Sequence, residues 1–364
     1  MIKTYPLASI SIEEAMQLQF KLIDTACHHF TGTEILSLGD LGVVPGINKP
    51  KTTLAVEETL SQFFGTEKTV LIRGSGTGAI RYALFAVCKA GEKILVHDAP
   101  VYNTTESSFQ MMGLQPVRAD YNRAEEIDRV LEETPDIHAA LVQLTRQRIE
   151  DSYDYAQVIA RLKAKGLTVI TDDNYAVMKV SKIGCQSGSD VSCFSAFKLL
   201  GPEGIGVVTG KAEIVDKIIS IHYSGGMQVQ GHEALEVLRG LTYAPVALAI
   251  QAAQVEECVR RLNAGEVKGV KGAFAANAQS KVLIVELENE NAPAVLEQAE
   301  KLGAAPNPVG CESKYEFLPM FYRVSGTFIK ADPSLKYKMI RVNPMRAGSD
   351  TILRILDESI RTAQ

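Results

Sequence analysis

The sequence predicts an α/β fold: a mainly parallel sheet with helices on both faces, followed by a smaller C-terminal α+β domain. Two observations carry that expectation. Short, uniformly apolar runs alternate with segments of helical period between Thr69 and Thr171, the pattern of strands buried on both faces and joined by crossover helices. After Gly265 the alternation gives way to a mixed set of strands and helices. The length of 364 residues suits two packed lobes better than one core.

The elements follow in order. Ser11 is placed to cap an amphipathic helix over Ile12–Phe30. A glycine-rich turn follows at Gly39-Asp40-Leu41-Gly42 and Pro45-Gly46, and a second helix over Thr53–Phe64 stops at Gly65. Strands are expected at Thr69–Ile72, Lys93–Val96, Ala139–Gln143 and Leu167–Thr171, separated by helices at Gly78–Lys89, Thr105–Met112 and Tyr155–Lys165. Val191–Ser195 and Ile205–Thr209 read as two further strands around a loop that carries Lys198. Gln228–Leu262 has a long helical period, which Pro245 is expected to kink or break. Strands at Lys281–Glu286, Met320–Val324 and Met339–Val342 and helices at Ala292–Leu302 and Thr351–Thr362 complete the chain. The resulting division is an N-terminal segment 1–45, a large domain 46–265 and a small domain 266–364.

Composition excludes several function classes. Hydrophobic residues make up 46% and charged residues 22%, ordinary for a globular protein. A net charge of −5 with no basic cluster argues against nucleic-acid or anionic-membrane partners. The longest apolar stretch, Tyr243–Ala253, is far shorter than the roughly 20 residues that span a bilayer. Met1–Phe20 lacks the apolar core of a secretory signal, so a cytoplasmic location is expected. Cys27, Cys88, Cys185, Cys193, Cys258 and Cys311 are scattered without a C-x-x-C pair, which points to reduced thiols rather than a disulfide framework or a zinc site.

Three segments carry candidate chemistry. Arg73-Gly74-Ser75-Gly76-Thr77-Gly78-Ala79 joins a strand to a helix, where free N–H groups and the positive dipole end suit a phosphate. Gly74, Gly76 and Ala79 also match the dinucleotide pattern G-x-G-x-x-A, and Asp98 lies twenty residues past Gly78, where a ribose-binding acid belongs. Taken alone, the segment leaves phosphate cup, nicotinamide site and plain tight turn open. Lys198 follows an apolar run and precedes Gly201-Pro202-Glu203-Gly204, and a lysine held in such a pocket can form a Schiff base. Asp172 and Tyr175 stand at the C-terminal end of a strand, the edge at which open α/β sheets bind ligands. Asp172 could hold a proton on a pyridine nitrogen and Tyr175 could bond the ring hydroxyl. A simple helix cap in Asp172-Asp173-Asn174 is the alternative.

Together these segments resemble the fold-type I pyridoxal-5′-phosphate (PLP) enzymes, the aminotransferase-like superfamily, over nearly the whole chain. The resemblance implies a seven-stranded sheet and PLP as cofactor. It implies that Ser75, Gly76, Thr77 and Ser195 bind the phosphate, Tyr102 stacks on the ring, Asp172 and Tyr175 contact it, and Lys198 anchors it and acts as general base. Arg341, in Ile340-Arg341-Val342-Asn343-Pro344, resembles the arginine that grips a substrate α-carboxylate, with Arg323 as competitor and a surface ion pair as the plain alternative. More narrowly, Thr171–Lys179, Ser195–Gly206 and Tyr223-Ser224-Gly225-Gly226 look like the YhfS-like group, which is similar to the cystathionine-lyase and selenocysteine-synthase branches. In those branches such a loop reaches a neighbouring subunit's phosphate, which implies that role for Ser224 and Gly225 and a homodimer with active sites at the interface.

The chain departs from the superfamily after Ala139–Gln143, where Leu144-Thr145-Arg146-Gln147 replaces the usual Asn-Pro-rich segment. Arg146 or Gln147 then takes a substrate role or lies in a solvated loop. His97 and His232 are placed near the pocket and read equally well as structural. The expected activity is that of an aminotransferase acting on a small amino acid or amine. The alternatives are a β/γ-elimination lyase, then an NAD-binding oxidoreductase, then a binding protein without catalysis.

Overall fold

The computed structural model describes residues 3–277, 282–309, 312–324, 329 and 332–363. Helix α1 (Ile12–His29) starts where expected. The Ser11 hydroxyl accepts the N–H of Glu14, and the Glu14 carboxylate accepts the N–H of Ser11, a reciprocal cap. A single turn, α2 (Gly32–Ile35), and α3 (Lys51–Phe64) follow, and α3 stops at Gly65 in the left-handed region at φ 72°.

Seven strands form the large sheet: β1 (Lys68–Arg73), β2 (Lys93–His97), β3 (Gln115–Ala119), β4 (Ala139–Gln143), β5 (Thr168–Asp172), β6 (Val191–Ser195) and β7 (Ile205–Gly210). Their order is β1-β7-β6-β5-β4-β2-β3, and only β7 runs against the rest. Both faces are covered, which explains the uniformly apolar strands. Val70 and Ile72 pack under α4 (Ser75–Val87) and α8 (Ala212–Ile221), while Leu71 between them packs with α3 on the other face. Farther along, Leu95, Ala140, Val142 and Val169 are covered by α6 (Ala124–Glu133) and α7 (Tyr155–Ala164). Helix α5 (Asn103–Met112) completes this domain's outer layer.

The long helix α9 (Gly231–Asn263) continues through Pro245 as one helix, so of the two outcomes expected of that proline the break does not occur. An internal proline removes one hydrogen bond and costs about 3 kcal/mol. Burial on both sides of it outweighs that cost. Leu235, Leu238, Leu241 and Leu248 lie in the core of the large sheet, and Val255, Cys258 and Leu262 lie in a second core. Each such side chain is worth roughly 1.5–3 kcal/mol.

That second core belongs to an antiparallel sheet of order β10-β11-β9-β8, made of β8 (Val270–Ala275), β9 (Leu283–Leu287), β10 (Met320–Arg323) and β11 (Met339–Asn343). Helices α10 (Ala292–Lys301) and α12 (Ser349–Thr362) cover one face together with the end of α9, and a single turn, α11 (Leu335–Lys338), leads into β11. Lys281, the first residue of the strand expected at Lys281–Glu286, lies outside the described residues, as do Cys311 and parts of 314–331. Among the described residues, no helix is long and apolar enough to cross a membrane.

Candidate active site

The C-terminal ends of β1, β4, β5 and β6 lie on one edge of the large sheet, and the candidate residues gather there. From β1 the chain turns through Gly74 at φ 101° and Ser75 at φ 59°, both left-handed, and both N–H groups donate to the Gly204 carbonyl at 2.8 and 3.0 Å. Helix α4 therefore begins at Ser75, three residues before the expected Gly78, and its positive dipole end opens at the turn. Ser75 Oγ and Ser195 Oγ are 2.6 Å apart. A Cβ on Gly76 would sit 2.6 Å from Asn174 Oδ1, and one on Gly206 would strike the Ser75 carbonyl, so both positions need glycine for close approach. Thr77 turns its hydroxyl away, donating to Thr104 Oγ1 at 3.0 Å, which leaves its backbone for any contact in the cup.

Asp172 ends β5 and is buried. Its Oδ1 accepts from Asn174 N–H at 3.1 Å and from Asn174 Nδ2 at 2.7 Å. Burial pushes its carboxyl up, while the Asn174 bonds and the Lys198 charge pull it down. Asn174 also accepts the Ser195 N–H on its Oδ1 at 3.1 Å. It thus ties Asp172, Ser195 and the space above Gly76 into one unit, a role that sequence reading had not given it.

Asp173 serves a different purpose. It is fully buried and accepts from Thr171 Oγ1 at 2.5 Å and Gly184 N–H at 2.6 Å, and burial pushes it up to about 7. A carboxyl that holds its proton more tightly when folded loses stability as pH rises from about 4 towards 7. This group should make the protein about 3 kcal/mol less stable at pH 8 than at pH 5. Urea unfolding of Asp173→Asn at the two pH values should show that difference removed, and an unchanged difference would refute the assignment.

Lys198 sits half-buried on a single turn, Phe197–Leu199, closed by Leu200 at φ 62°. Its Nζ lies 4.0 Å from the Tyr175 ring centroid and 5.9 Å from that of Tyr102. Tyr175 is itself at φ 66°, an uncommon conformation for a bulky residue and one that clusters at functional sites. Tyr102, at the start of α5, is 56% exposed and stands at the mouth of a cleft lined also by His97, Gln143, Gln147 and Asp172. The structure thus brings together Ser75, Gly76, Ser195, Asp172, Tyr175, Tyr102 and Lys198, and it places Gln147 at the same cleft.

Other candidates fall elsewhere. Ser224 and Gly225 are exposed on the turn before α9, beside the segment that holds Val43 and Asn48. Arg341 lies on β11 opposite Tyr322, its guanidinium carbon 4.2 Å from that ring's centroid. Arg323 is exposed on the opposite face of β10, paired with Ile340 of the helix-covered core. Arg146 is neither a solvated loop residue nor a cleft residue. It is buried, with Nε and Nη2 donating to the Tyr153 carbonyl at 2.9 and 2.5 Å and Nη1 donating to that of Tyr5. It fastens the N-terminal segment to the large domain. His97 lines the cleft with both ring nitrogens engaged: Nδ1 accepts the Tyr121 N–H at 3.0 Å, so Nε2 carries the proton to Asp151 Oδ1, also 3.0 Å away.

The nicotinamide reading does not survive the topology. Strands β1 and β2 sit apart in the sheet, with β7, β6, β5 and β4 between them, and Asp98 is ion-paired with Arg148 at 2.9 Å. The residues fit PLP instead. A glycine cup with two hydroxyls at a helix start suits its phosphate, a buried carboxylate suits its ring nitrogen, and a half-buried lysine between two tyrosines suits its aldehyde.

Comparison with known proteins agrees. Residues 47–262 match the family of Cys/Met metabolism PLP-dependent enzymes, and residues 256–356 match the YhfS-like C-terminal domain. The chain is 53% identical over 360 residues to the uncharacterized protein YhfS of Escherichia coli strain K12, covering 99% of both. The crystal structure of the pyridoxal-5′-phosphate-dependent protein YhfS from Escherichia coli has a TM-score of 0.97 at 52% identity, with 99% of both chains covered. A cystathionine gamma lyase from Micromonospora echinospora shares the fold, with a TM-score of 0.69 at 18% identity over 86% of this chain and 87% of that one. The cup, the buried carboxylate and the lysine lie together at one cleft, and the chain belongs to the PLP-dependent enzymes of the Cys/Met metabolism family, in its YhfS-like group.

Proposed function

We propose that the protein is a lyase or synthase that breaks or makes a bond at the β or γ carbon of a small amino acid, rather than the aminotransferase that the superfamily alone implies. The match of residues 47–262 to Cys/Met metabolism enzymes carries this reading, and the lyase that shares its fold is consistent with it. When bound, PLP supplies an electron-poor ring that stabilises negative charge at the substrate Cα. The chain's own residues do the rest. Ser75, Gly76 and Ser195 bind the phosphate, with the Thr77 backbone beside them. Tyr102 covers the ring at the cleft mouth. Tyr175 orients Lys198. Asp172 keeps the proton on the ring nitrogen. With PLP and substrate bound, Lys198 Nζ would take the Cα proton and could hand it to the departing group.

A second copy of the chain completes the site in this reading. Leu36, Leu38, Leu41 and Tyr223 are 84%, 83%, 73% and 76% exposed, a costly apolar surface for a monomer; Tyr223 directly precedes Ser224 and Gly225, and Gly225 lies against Val43 of the segment after Leu41. A homodimer would cover them and carry Ser224 and Gly225 to the partner's phosphate. The free thiols of Cys27, Cys88, Cys185, Cys193 and Cys258 fit a cytoplasmic enzyme.

The deciding experiment supplies the holoenzyme with amino acids bearing thioether or ester groups at Cβ or Cγ. Keto acid released with equal ammonia, and with no acceptor present, is the expected result. Keto acid formed only when a 2-oxo acid acceptor is added, without ammonia, would restore the aminotransferase.

A further inference from the structure

The loop after β5 holds a second cation that the proposed chemistry does not use. Lys179 is only 4% exposed, and its ammonium is ion-paired with Glu312, 1% exposed, from the small domain. Glu312 Oε1 accepts from Gln251 Nε2 of α9 at 3.0 Å. Gln251 Oε1 accepts in turn from Arg346 Nη1, beyond β11, at 2.9 Å. One buried carboxylate therefore gathers the loop after β5, the long helix and the small domain.

This cluster reaches the reactive lysine. Lys179 Nζ lies 5.5 Å from the centroid of the Tyr175 ring, the same ring that Lys198 approaches at 4.0 Å. Tyr175 and Met178 both have left-handed backbone, at φ 66° and 62°, so the loop between Asp172 and Lys179 is strained and needs an external hold. The segment that carries Glu312 also grips the lysine's own turn. The Tyr315 ring packs on Phe197 at 6.0 Å between centroids. A buried Lys–Glu pair adds little stability over apolar residues of equal volume, so stability alone does not account for a charge here. A fixed cation near a reactive amine, in contrast, alters its chemistry.

We infer that Lys179 is a positioning residue: fixed by Glu312 of the small domain, its ammonium holds the Tyr175 ring against Lys198 and sets the electrostatic field at Lys198 Nζ. The inference rests on Lys198 as cofactor anchor and is independent of which substrate bond breaks. The groups facing Lys198 are Asp172 at the end of β5, Tyr175 on the following loop and Tyr102 at the start of α5; Lys179 meets the same Tyr175 ring, with Glu312 and Arg346 behind it.

The test is a pH titration of the visible absorbance of the holoenzyme, without substrate. The midpoint of that band reports the proton on the nitrogen that joins Lys198 to the cofactor. Lys179→Met removes a nearby positive charge and should raise the midpoint by about one pH unit, a tenfold change in proton affinity. Lys179→Arg should restore it. Glu312→Gln leaves the Lys179 charge uncompensated and should lower the midpoint. Opposite signs are the signature, because general loosening of the site would move both variants the same way. Shifts of the same sign, or none, overturn the inference. Should Lys179→Met fail to accumulate as folded holoenzyme, Glu312→Gln decides alone: a lower midpoint supports the inference and an unchanged or higher one overturns it. A wild-type protein with no band that borohydride fixes to Lys198 would defeat the anchor as well. A normal band whose midpoint does not respond defeats only the role of Lys179.

Discussion

Replacing Lys198 with alanine should lower turnover by at least ~1,000-fold and abolish covalent retention of the cofactor. Two functions disappear together. The anchor is lost, so borohydride no longer fixes a label to the chain, and the cofactor, still held by the Ser75–Ser195 cup, should leave on dialysis. The base is lost as well, and general base catalysis alone contributes roughly 100- to 10,000-fold. Stability should change little, because Lys198 is half-buried and its described ring contacts are to Tyr175 and Tyr102 at the cleft. The control is peptide mapping of the reduced wild-type enzyme. Lys179 is the instructive competitor, since it too lies within 5.5 Å of the Tyr175 ring centroid. A label on Lys179 would move the anchor and exchange the roles assigned to the two lysines.

The sequence exposed the features that depend on local chemistry. Strands β4 and β6 were legible to the residue, β4 from the apolar run Ala139–Val142 and β6 from Val191, Cys193 and Phe194 in a short segment after Ser189-Asp190, and the start of α1 was legible because Ser11 caps it. Strand β3 was missed: it carries Pro116 at the sheet edge, where a missing N–H is tolerated, and its burial is only partial. Helix α6 was missed because its charged face outweighs its two buried residues, Ile127 and Val130. The early start of α4 and the continuity of α9 through Pro245 both run against local propensity and are imposed by packing. At the site, Lys198, Asp172, Tyr175 and Ser75 were legible because each adjoins a strand end or a glycine turn. Asn174, Lys179 and Arg146 were not, because their partners are remote in sequence: Ser195, Glu312 and the carbonyl of Tyr5. A backbone carbonyl leaves no mark in a sequence pattern, so an arginine that binds one looks like any loop arginine. The choice between transamination and elimination was equally hidden, since no residue type in the chain identifies the departing group.

Asp172→Asn should reduce turnover by ~100- to 1,000-fold without lowering the stability of the cofactor-free protein. The two halves of this expectation have one cause. Burial is the largest influence on the Asp172 carboxyl and drives its proton affinity up, so the ionised form costs stability that is lost as pH rises. Asparagine removes that cost and keeps an oxygen that can accept from Asn174. What it cannot do is carry the negative charge that keeps the cofactor's ring nitrogen protonated, and without that proton the ring is a poor sink for electrons from Cα. Function should fall while stability at pH 8 stays level or rises, the trade expected where a buried charge is retained for chemistry. Asp173→Asn supplies the contrast one residue away. It removes an equally buried carboxyl whose bonds run to Thr171 and Gly184, outside the cup, so it should change the pH dependence of stability and leave turnover close to wild type. Thermal unfolding and turnover measured on both variants at pH 8 separate the cases. If Asp172→Asn kept more than a tenth of the activity, or lost stability in step with it, Asp172 would be a structural residue and the ring nitrogen would need another partner.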